Sequence, residues 1–260
     1  MSEIKDAGVD RRRNRILEIV NQNGKAKVTQ LAKEFSISHV TIRNDLTEMD
    51  REGLLRRVHG GAISIEKSYY DVSLNDRMYI NKNEKIKIAA TVASLVRDGD
   101  ILMMDSGTTT CYIARALADH KNLTIVTNSM HIAREFSNNN AANLIMVGGN
   151  LDIRYQFTYG NDAIEQLKRY RANKMILATD GISAEHGLTA YHHQEIGVSR
   201  RMIDRANEII AVADYSKIGK EGFTHITSLE SIDILITNKK GANLKELDAI
   251  RGRGIVVKEV

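Results

Sequence analysis

The sequence predicts an α/β protein in two parts: an N-terminal winged helix-turn-helix followed by a larger Rossmann-like α/β domain. Three observations carry this. Residues 38–47, Ser-His-Val-Thr-Ile-Arg-Asn-Asp-Leu-Thr, read as a short capped helix with one apolar stripe and one polar face. A basic hairpin tipped by Gly60-Gly61 follows. From Glu84 onward, short apolar runs alternate with helical patterns, as in a parallel sheet covered on both faces. A length of 260 residues suits one small and one medium domain. The expected boundaries are 11–65 for the first domain, 66–83 for a linker and 84–260 for the second domain.

Residues 1–10 read as a frayed tail. A first helix spans Arg11–Asn23, because Ile16, Ile19 and Val20 recur at helical spacing and Gly24 stands where a C-terminal cap belongs. Thr29 reads as the cap of a short second helix with Leu31, Ala32 and Phe35 inward, and Ser36-Ile37 forms the turn. In the third helix, over residues 38–51, Ser38 caps the start, and Gly53 ends it. Ile42, Leu46 and Met49 follow at i, i+4 and i+7, which makes one buried stripe. Leu54–Val58 and Ala62–Ile65 flank His59-Gly60-Gly61 as a two-stranded wing. The stretch 66–83, with Lys67, Tyr69, Tyr70 and Asp71, is polar and aperiodic, as a linker would be.

Seven apolar runs predict strands in the second domain: Ile101–Met104, Leu123–Val126, Leu144–Val147, Met175–Ala178, Ile209–Ala213, Ile234–Ile236 and Ile255–Val257. Helices are expected between them over Glu84–Val96, Thr110–Asp119, His131–Ser137, Asp162–Tyr170, Val198–Asn207 and Leu244–Ile250. There is no internal repeat. No apolar run approaches the ~20 residues of a membrane helix, and the first residues lack the apolar core of a signal peptide. One cysteine, Cys111, allows no internal disulfide and fits a reducing cytoplasm. The formal net charge of +4 mildly favours a polyanionic partner. The chain has no proline, for which the sequence offers no physical reason.

His39, Thr41, Arg43 and Asn44 fall away from the apolar stripe of the third helix. These residue types pair with base edges and phosphates in a DNA major groove. Arg43 suits guanine, and Asn44 suits adenine or phosphate; the alternative for Arg43 is a pair with Glu48 or Asp50. Arg11, Arg12 and Arg13 at the start of helix one, and Arg56 and Arg57 on the wing, can neutralise phosphates and release counterions. Gly60-Gly61 closes the hairpin and also lets a wing tip approach a DNA backbone closely.

In the second domain, Asp105-Ser106-Gly107-Thr108-Thr109-Thr110 follows a strand and opens a helix. That is the arrangement of an anion site, with helix-start N–H groups and hydroxyls as donors. It carries neither the phosphate-loop lysine ending nor the dinucleotide glycine fingerprint. Thr127-Asn128-Ser129, Gly148-Gly149 and Thr179-Asp180-Gly181 follow the next three predicted strands. In an open parallel sheet, ligands bind beyond the carboxyl ends of the strands. Four small, polar strand ends therefore predict one crevice, and Lys217 brings a cation to its rim. A phosphorylated sugar fits, with Asp105 and Asp180 as acceptors for its hydroxyls.

The string from Arg12 to Ile63 resembles the DNA-binding domain of DeoR-type bacterial transcription repressors. The matching residues are Arg12, Ile16, Gly24, Val28, Leu31, Ala32, Phe35, Ser38, Thr41, Ile42, Arg43, Asp45, Leu46, Gly53, Arg57 and His59-Gly60-Gly61-Ala62. The likeness continues through Asp105–Thr109, Thr127-Asn128-Ser129, Gly148-Gly149, Gly160, Asp180-Gly181-Ile182, Gly187-Leu188-Thr189, Glu195, Arg201-Met202, Ser216-Lys217 and Gly219. The resemblance implies a C-terminal sensor domain similar to ribose-5-phosphate isomerase and CoA-transferase folds. It implies a carbohydrate-operon repressor that binds operator double-stranded DNA until a phosphorylated sugar or derivative weakens the complex. The implied effector site holds Asp105, Gly107, Thr108, Thr109, Thr127, Asn128, Ser129, Asp180 and Lys217; Ser106, Gly148, Gly149 and Glu195 complete the candidate set. Selective operator binding needs a homo-oligomer, a dimer or tetramer, because one small head buries little DNA surface. Two residues depart from the family pattern: Asn44, where many members carry a basic residue, and Tyr215, where a small serine is usual. Segments 154–159 and 189–195, the latter with His192-His193-Gln194, are the places where sugar preference is expected.

The isomerase likeness raises an alternative: a sugar-phosphate isomerase-like enzyme with an accessory DNA-binding domain, using Asp105, Asp180, Glu195 and Lys217 as acid–base groups. A winged helix-turn-helix has no use in such an enzyme, and fold likeness does not carry function. His186, His192, His193 and Glu195 lack a recognised metal-ligand spacing, so no metal or cofactor is expected. Cys111 sits near a helix start, which can lower a thiol pKa; burial as a small apolar residue is the alternative.

Overall fold

The structure is a computed structural model that describes residues 2–23, 25–52, 54–58, 60–64, 74–137, 142–239 and 241–260. Gly24, Gly53, His59 and the linker residues Lys67, Tyr69, Tyr70 and Asp71 lie outside the described residues. The chain divides into two compact units, Met1–Ile80 and Asn81–Val260.

The first unit runs α1 (Ser2–Asn23), β1 (Lys25–Lys27), α2 (Val28–Phe35), α3 (His39–Arg51), β2 (Leu55–Val58), β3 (Gly61–Ser64) and α4 (Leu74–Tyr79). Ile16 and Val20 of α1, Leu31 of α2, and Ile42, Leu46 and Met49 of α3 are fully buried in one core with Leu55 and Ala62 of the wing. Each of the larger side chains among them contributes about 1.5–3 kcal/mol relative to exposure. Ser38 caps α3 by accepting from Thr41 N at 3.1 Å.

Four expectations change here. The residues before Arg11 are helical from Ser2, not a frayed tail. The wing has three strands in the order β1-β3-β2, because Lys25–Lys27 pairs with β3. Thr29 does not cap α2; Val28 N instead donates to Gly60 O at 2.7 Å, so the wing turn supplies the acceptor. The supposed linker contains α4 and the start of the next helix. The third strand also accounts for Gly60-Gly61. Gly60 has φ +84°, and a Cβ on Gly61 would lie 2.1 Å from Ala26 O of β1.

The second unit comprises α5 (Lys82–Leu95), β4 (Ile101–Met104), α6 (Thr108–Ala116), β5 (Thr124–Thr127), α7 (Met130–Phe136), β6 (Asn143–Met146), β7 (Asn150–Asp152), β8 (Phe157–Tyr159) and α8 (Asn161–Leu167). It continues through β9 (Ala172–Ala178), β10 (Gly181–Ser183), β11 (Gly187–Ala190), α9 (Ile196–Ile203), β12 (Ala206–Val212), β13 (Thr224–Thr227), β14 (Ile234–Thr237), α10 (Leu244–Arg251) and β15 (Val256–Glu259). The seven predicted strands form one parallel sheet in the order β15-β14-β12-β9-β4-β5-β6. The order reverses between β4 and β9, which makes their carboxyl ends the topological switch point. The five additional short strands form a three-stranded antiparallel sheet, β10-β11-β13, and a hairpin, β7-β8.

Asp45 is buried on α3, and Arg12 of α1 grips it with two bonds, Nε to Oδ2 at 2.7 Å and NH2 to Oδ1 at 3.2 Å. Arg13 Nε adds a third at 3.4 Å. Removing one partner strands a buried charge, whereas an exposed pair such as Arg15–Glu18 at 2.7 Å contributes little. Arg12→Ala is therefore expected to cost about 2–4 kcal/mol of stability and Arg15→Ala far less. Urea unfolding of the two variants checks this ordering, and equal losses would contradict it.

Candidate functional site

In the first unit, α3 turns its buried stripe inward and leaves His39, Val40, Arg43 and Asn44 exposed. Arg43 forms no ion pair among the described residues; Glu48 bonds Arg51 at 2.6 Å instead. Val40, 62 % exposed at the first turn, is an apolar member of this face. Such a group can contact a thymine methyl. The stripe pattern shows it only on inspection of which apolar residue the stripe excludes. The basic residues divide into two sets. Arg11 is exposed, whereas Arg12 and Arg13 are turned onto Asp45. Arg57 NH1 donates to Thr47 Oγ1 at 2.7 Å, so the wing is tied to α3. Arg56 is half-buried on β2, and Gly60 and Gly61 form the wing turn.

In the second unit, the switch point gathers carboxylates. Asp105 follows β4, and its Oδ1 accepts from Ala178 N at the end of β9 at 3.0 Å. Ser106 Oγ donates to Glu195 at 2.9 and 3.0 Å, which brings the turn before α9 to the same place. Asp180 Oδ2 accepts from Tyr191 N at 3.0 Å. Burial pushes the Asp105 carboxyl well above the usual carboxylate range, and Glu195 and then Asp180 push it the same way against the Ala178 N–H. Gly107 is required at this junction: a Cβ there would lie 2.9 Å from the Ala178 Cβ. Thr108, Thr109 and Thr110 open α6, which has no side-chain cap, so its first N–H groups remain available to an anion. Thr110 Oγ1 turns back to Gly107 O at 2.9 Å.

The neighbouring strand ends are more structural. Thr127 Oγ1 accepts from Ser129 N, and Ser129 Oγ caps α7 through Ile132 N. Asn128 is fully buried, and its Nδ2 and backbone carbonyl bond Thr158 O and Thr158 N, which pins β8. Its Oδ1 has no hydrogen-bond partner among the described residues. Gly148 N donates to Gln166, and Gly149 is exposed beyond it. The two segments expected to set ligand preference meet here: the Tyr155 ring lies 4.0 Å from the buried His192 ring, and Phe157 lies 6.4 Å from it. His193 is exposed.

Lys217 lies in the turn after β12. Asp214, at the start of that turn, is raised by burial but lowered more by Lys217, Ser216, Lys85 and Asn81, and so is held below the ordinary aspartate range. Lys85 is a second cation that motif reading misses. It is 3 % exposed on α5, and its charge acts on both Asp214 and Cys111 in the first turns of α6. A signal was present: Lys85, Ile88, Ala89 and Val92 share the i, i+3, i+4, i+7 stripe that α5 buries. Cys111 is buried, and burial pushes its thiol up to about 12, so the helix start does not activate it. Among the described residues no group of His, Cys, Asp and Glu is placed to hold a metal. No described helix is long and apolar enough to cross a membrane. A separate cleft of about 410 Å³ lies along the small sheet, lined by Glu185, His186, Glu221, Phe223 and Arg253 among others, and by none of the effector candidates. His186 faces Glu185 at 3.8 Å and Glu221 at 3.7 Å, an acidic setting that disfavours a phosphate.

Residues 12–68 match the DeoR-like helix-turn-helix domain, and residues 80–239 match the DeoR C terminal sensor domain. An HTH-type transcriptional regulator of Bacillus subtilis strain 168 is 34 % identical, covering 97 % of each chain. The putative aga operon transcriptional repressor of Escherichia coli O157:H7 is 31 % identical over 96 % of this chain and 93 % of its own. The glycerol-3-phosphate regulon repressor of Escherichia coli K12 is 32 % identical over 87 % of this chain and 90 % of its own.

Asp105→Asn keeps the size and the acceptor oxygen of the side chain but removes its charge. Because the folded-state pKa of Asp105 is raised, its ionised form opposes folding. The carboxyl is best tolerated below the unfolded value of ~3.9, and that tolerance is lost as pH rises towards the folded value. Asp105→Asn should raise Tm at pH 7.5 by about 2–8 °C, with a smaller gain at pH 4. A gain of equal size at both pH values in differential scanning calorimetry would contradict the assigned direction.

Proposed function

This chain belongs to the DeoR family of transcriptional regulators, and on that premise we propose that it represses a carbohydrate-utilisation operon under the control of a phosphorylated sugar. The single observation that carries the DNA-binding half is the exposed face of α3, with Arg43 unengaged by Glu48. Arg43, Asn44, His39, Thr41 and Val40 read base edges, and Ser38 sets the angle of the helix start. Arg11, Arg56, Arg57 and the wing turn at Gly60-Gly61 meet the phosphates, while Arg12 and Arg13 serve mainly to fix α1 against α3.

The effector half rests on chemistry that converges at the switch point. The open start of α6 with Thr108 and Thr109, together with Lys85 and Lys217, suits a phosphate. Asp105, Asp180 and Glu195 suit the hydroxyls of a sugar, with Ser106 orienting Glu195. Thr127, Asn128, Ser129, Gly148 and Gly149 shape the wall. Tyr155 and His192 stand where the far end of a sugar would be discriminated. The carboxylates thus bind, and the acid–base reading of an isomerase is set aside; the relatives are regulators and repressors. The protein acts in the cytoplasm as a dimer or tetramer, because two heads are needed for a selective operator. As in the family, the sugar weakens DNA binding by preferring one arrangement of the heads over another.

Arg43→Ala is expected to weaken binding to the DNA upstream of its own operon by about tenfold or more while Tm stays unchanged. Wild-type affinity in a gel-shift titration would remove α3 as the reading helix. Thr108→Val combined with Lys217→Ala should abolish the thermal shift given by a panel of sugar phosphates and leave DNA binding without sugar intact. A binding partner of the folded state raises Tm by mass action, ~2.7 kcal/mol at a hundredfold excess over Kd. A wild-type response in the double variant would mean that the effector binds elsewhere.

A further inference from the structure

Asn81, the first residue of the second unit, is bound to the turn that carries Lys217. Its Nδ2 donates to Asp214 Oδ1 at 2.8 Å and to Ser216 Oγ at 3.3 Å. Its backbone carbonyl accepts from Lys85 N at 3.0 Å, which starts the helix bearing the buried cation. Its φ of +50° turns the chain from α4 into α5. Asparagine takes this left-handed conformation more readily than most residues with a side chain. Three demands therefore meet at one position: the exit from α4, the anchoring of Asp214, and the placement of Lys85.

Asp214 is nearly fully buried, and the charges of Lys217 and Lys85 both act on it. It caps its own turn through Ser216 N at 3.0 Å, and Lys217 N returns to Asp214 O at 3.0 Å. A phosphate that draws on Lys217 and Lys85 competes with Asp214 for both cations. As their hold on Asp214 weakens, the bonds from Asn81 and Ser216 carry more of that buried charge. A shift of the turn is then passed to the residue that joins α4 to the second unit.

We propose that Asn81 is a positioning residue that couples occupancy of the phosphate end of the effector site to α4, the last helix of the first unit. This rests on the reading that Lys85 and Lys217 hold the effector's phosphate. The coupling is reciprocal, as any linkage between two equilibria is. The side chain of Asn81 transmits; its backbone only shapes the turn.

Hydrogen exchange of the full chain, read on peptides covering 74–80, tests the link without any ligand. Asn81→Gly keeps the left-handed turn and removes the amide. Lys217→Ala should speed exchange of 74–80 by about threefold or more in the wild-type background and leave it unchanged in the Asn81→Gly background. No effect of Lys217→Ala on 74–80, or the same effect in both backgrounds, overturns the proposal. A second arm uses glucose 6-phosphate, fructose 1-phosphate, ribose 5-phosphate and glycerol 3-phosphate, read by calorimetric titration. The expected result is binding that survives Asn81→Gly within about threefold and is lost in Lys217→Ala, with the ligand-induced change over 74–80 absent from Asn81→Gly. A ligand that binds Lys217→Ala as tightly as wild type overturns the placement of the phosphate, whereas the mechanical link is decided by the ligand-free arm alone.

Discussion

The parallel pairing of β4 with β9 is the constraint on which the second unit depends. It joins two strands from opposite halves of the chain, with Met104 beside Ile176, and it reverses the strand order at that seam. Everything polar at the centre of the site follows from it. Asp105 N donates to Ile176 O at 3.4 Å and its carboxylate accepts Ala178 N, so the first residue beyond β4 continues the ladder with its side chain. Gly107 then passes so close to Ala178 that no side chain fits. The helix that starts there has no side-chain cap on its first N–H groups.

Both units place a charged residue on a stripe that is otherwise apolar. In α3 it is Asp45, among Ile42, Leu46 and Met49; in α5 it is Lys85, among Ile88, Ala89 and Val92. A buried charge is costly unless it is paired. Asp45 is paid for by Arg12 and Arg13 and serves to lock the reading helix to α1. The charge of Lys85 acts on Asp214 and on Cys111 in the first turns of α6, the place proposed for the phosphate. The same sequence signature thus marks a structural clamp in one unit and a candidate binding cation in the other. Only the partners distinguish them.

The strands most legible in the sequence are those of the large sheet. Each of its seven strands corresponds to an apolar run, because a strand buried on both faces by helices needs apolar residues at successive positions. The five short antiparallel strands carry no such run. Asn150–Asp152 and Gly181–Ser183 mix polar, small and apolar residues over three positions, too few for any period to show. The same holds for Lys25–Lys27, whose pairing with β3 depends on a glycine thirty-odd residues away. Motif reading found Asp105, Thr108, Asp180 and Lys217 because they stand at strand ends and helix starts. It passed over Lys85 and Asn81, which lie in an unremarkable stretch of α5 and its approach.

By itself the sequence determined the two-part architecture, the buried stripe and cap of the reading helix, the parallel sheet and the identity of the loops at its carboxyl edge. These are local or periodic properties, set by which faces of a helix or strand avoid water. The tertiary structure alone decided which strand ends adjoin, that Arg12 and Arg13 turn inward to Asp45, that Tyr155 meets His192, and that Asn81 bonds Asp214. Those are contacts between residues far apart in the chain, and no local pattern encodes them. They exist because strand order brings distant segments within reach, and burial then requires each polar group to find a partner there.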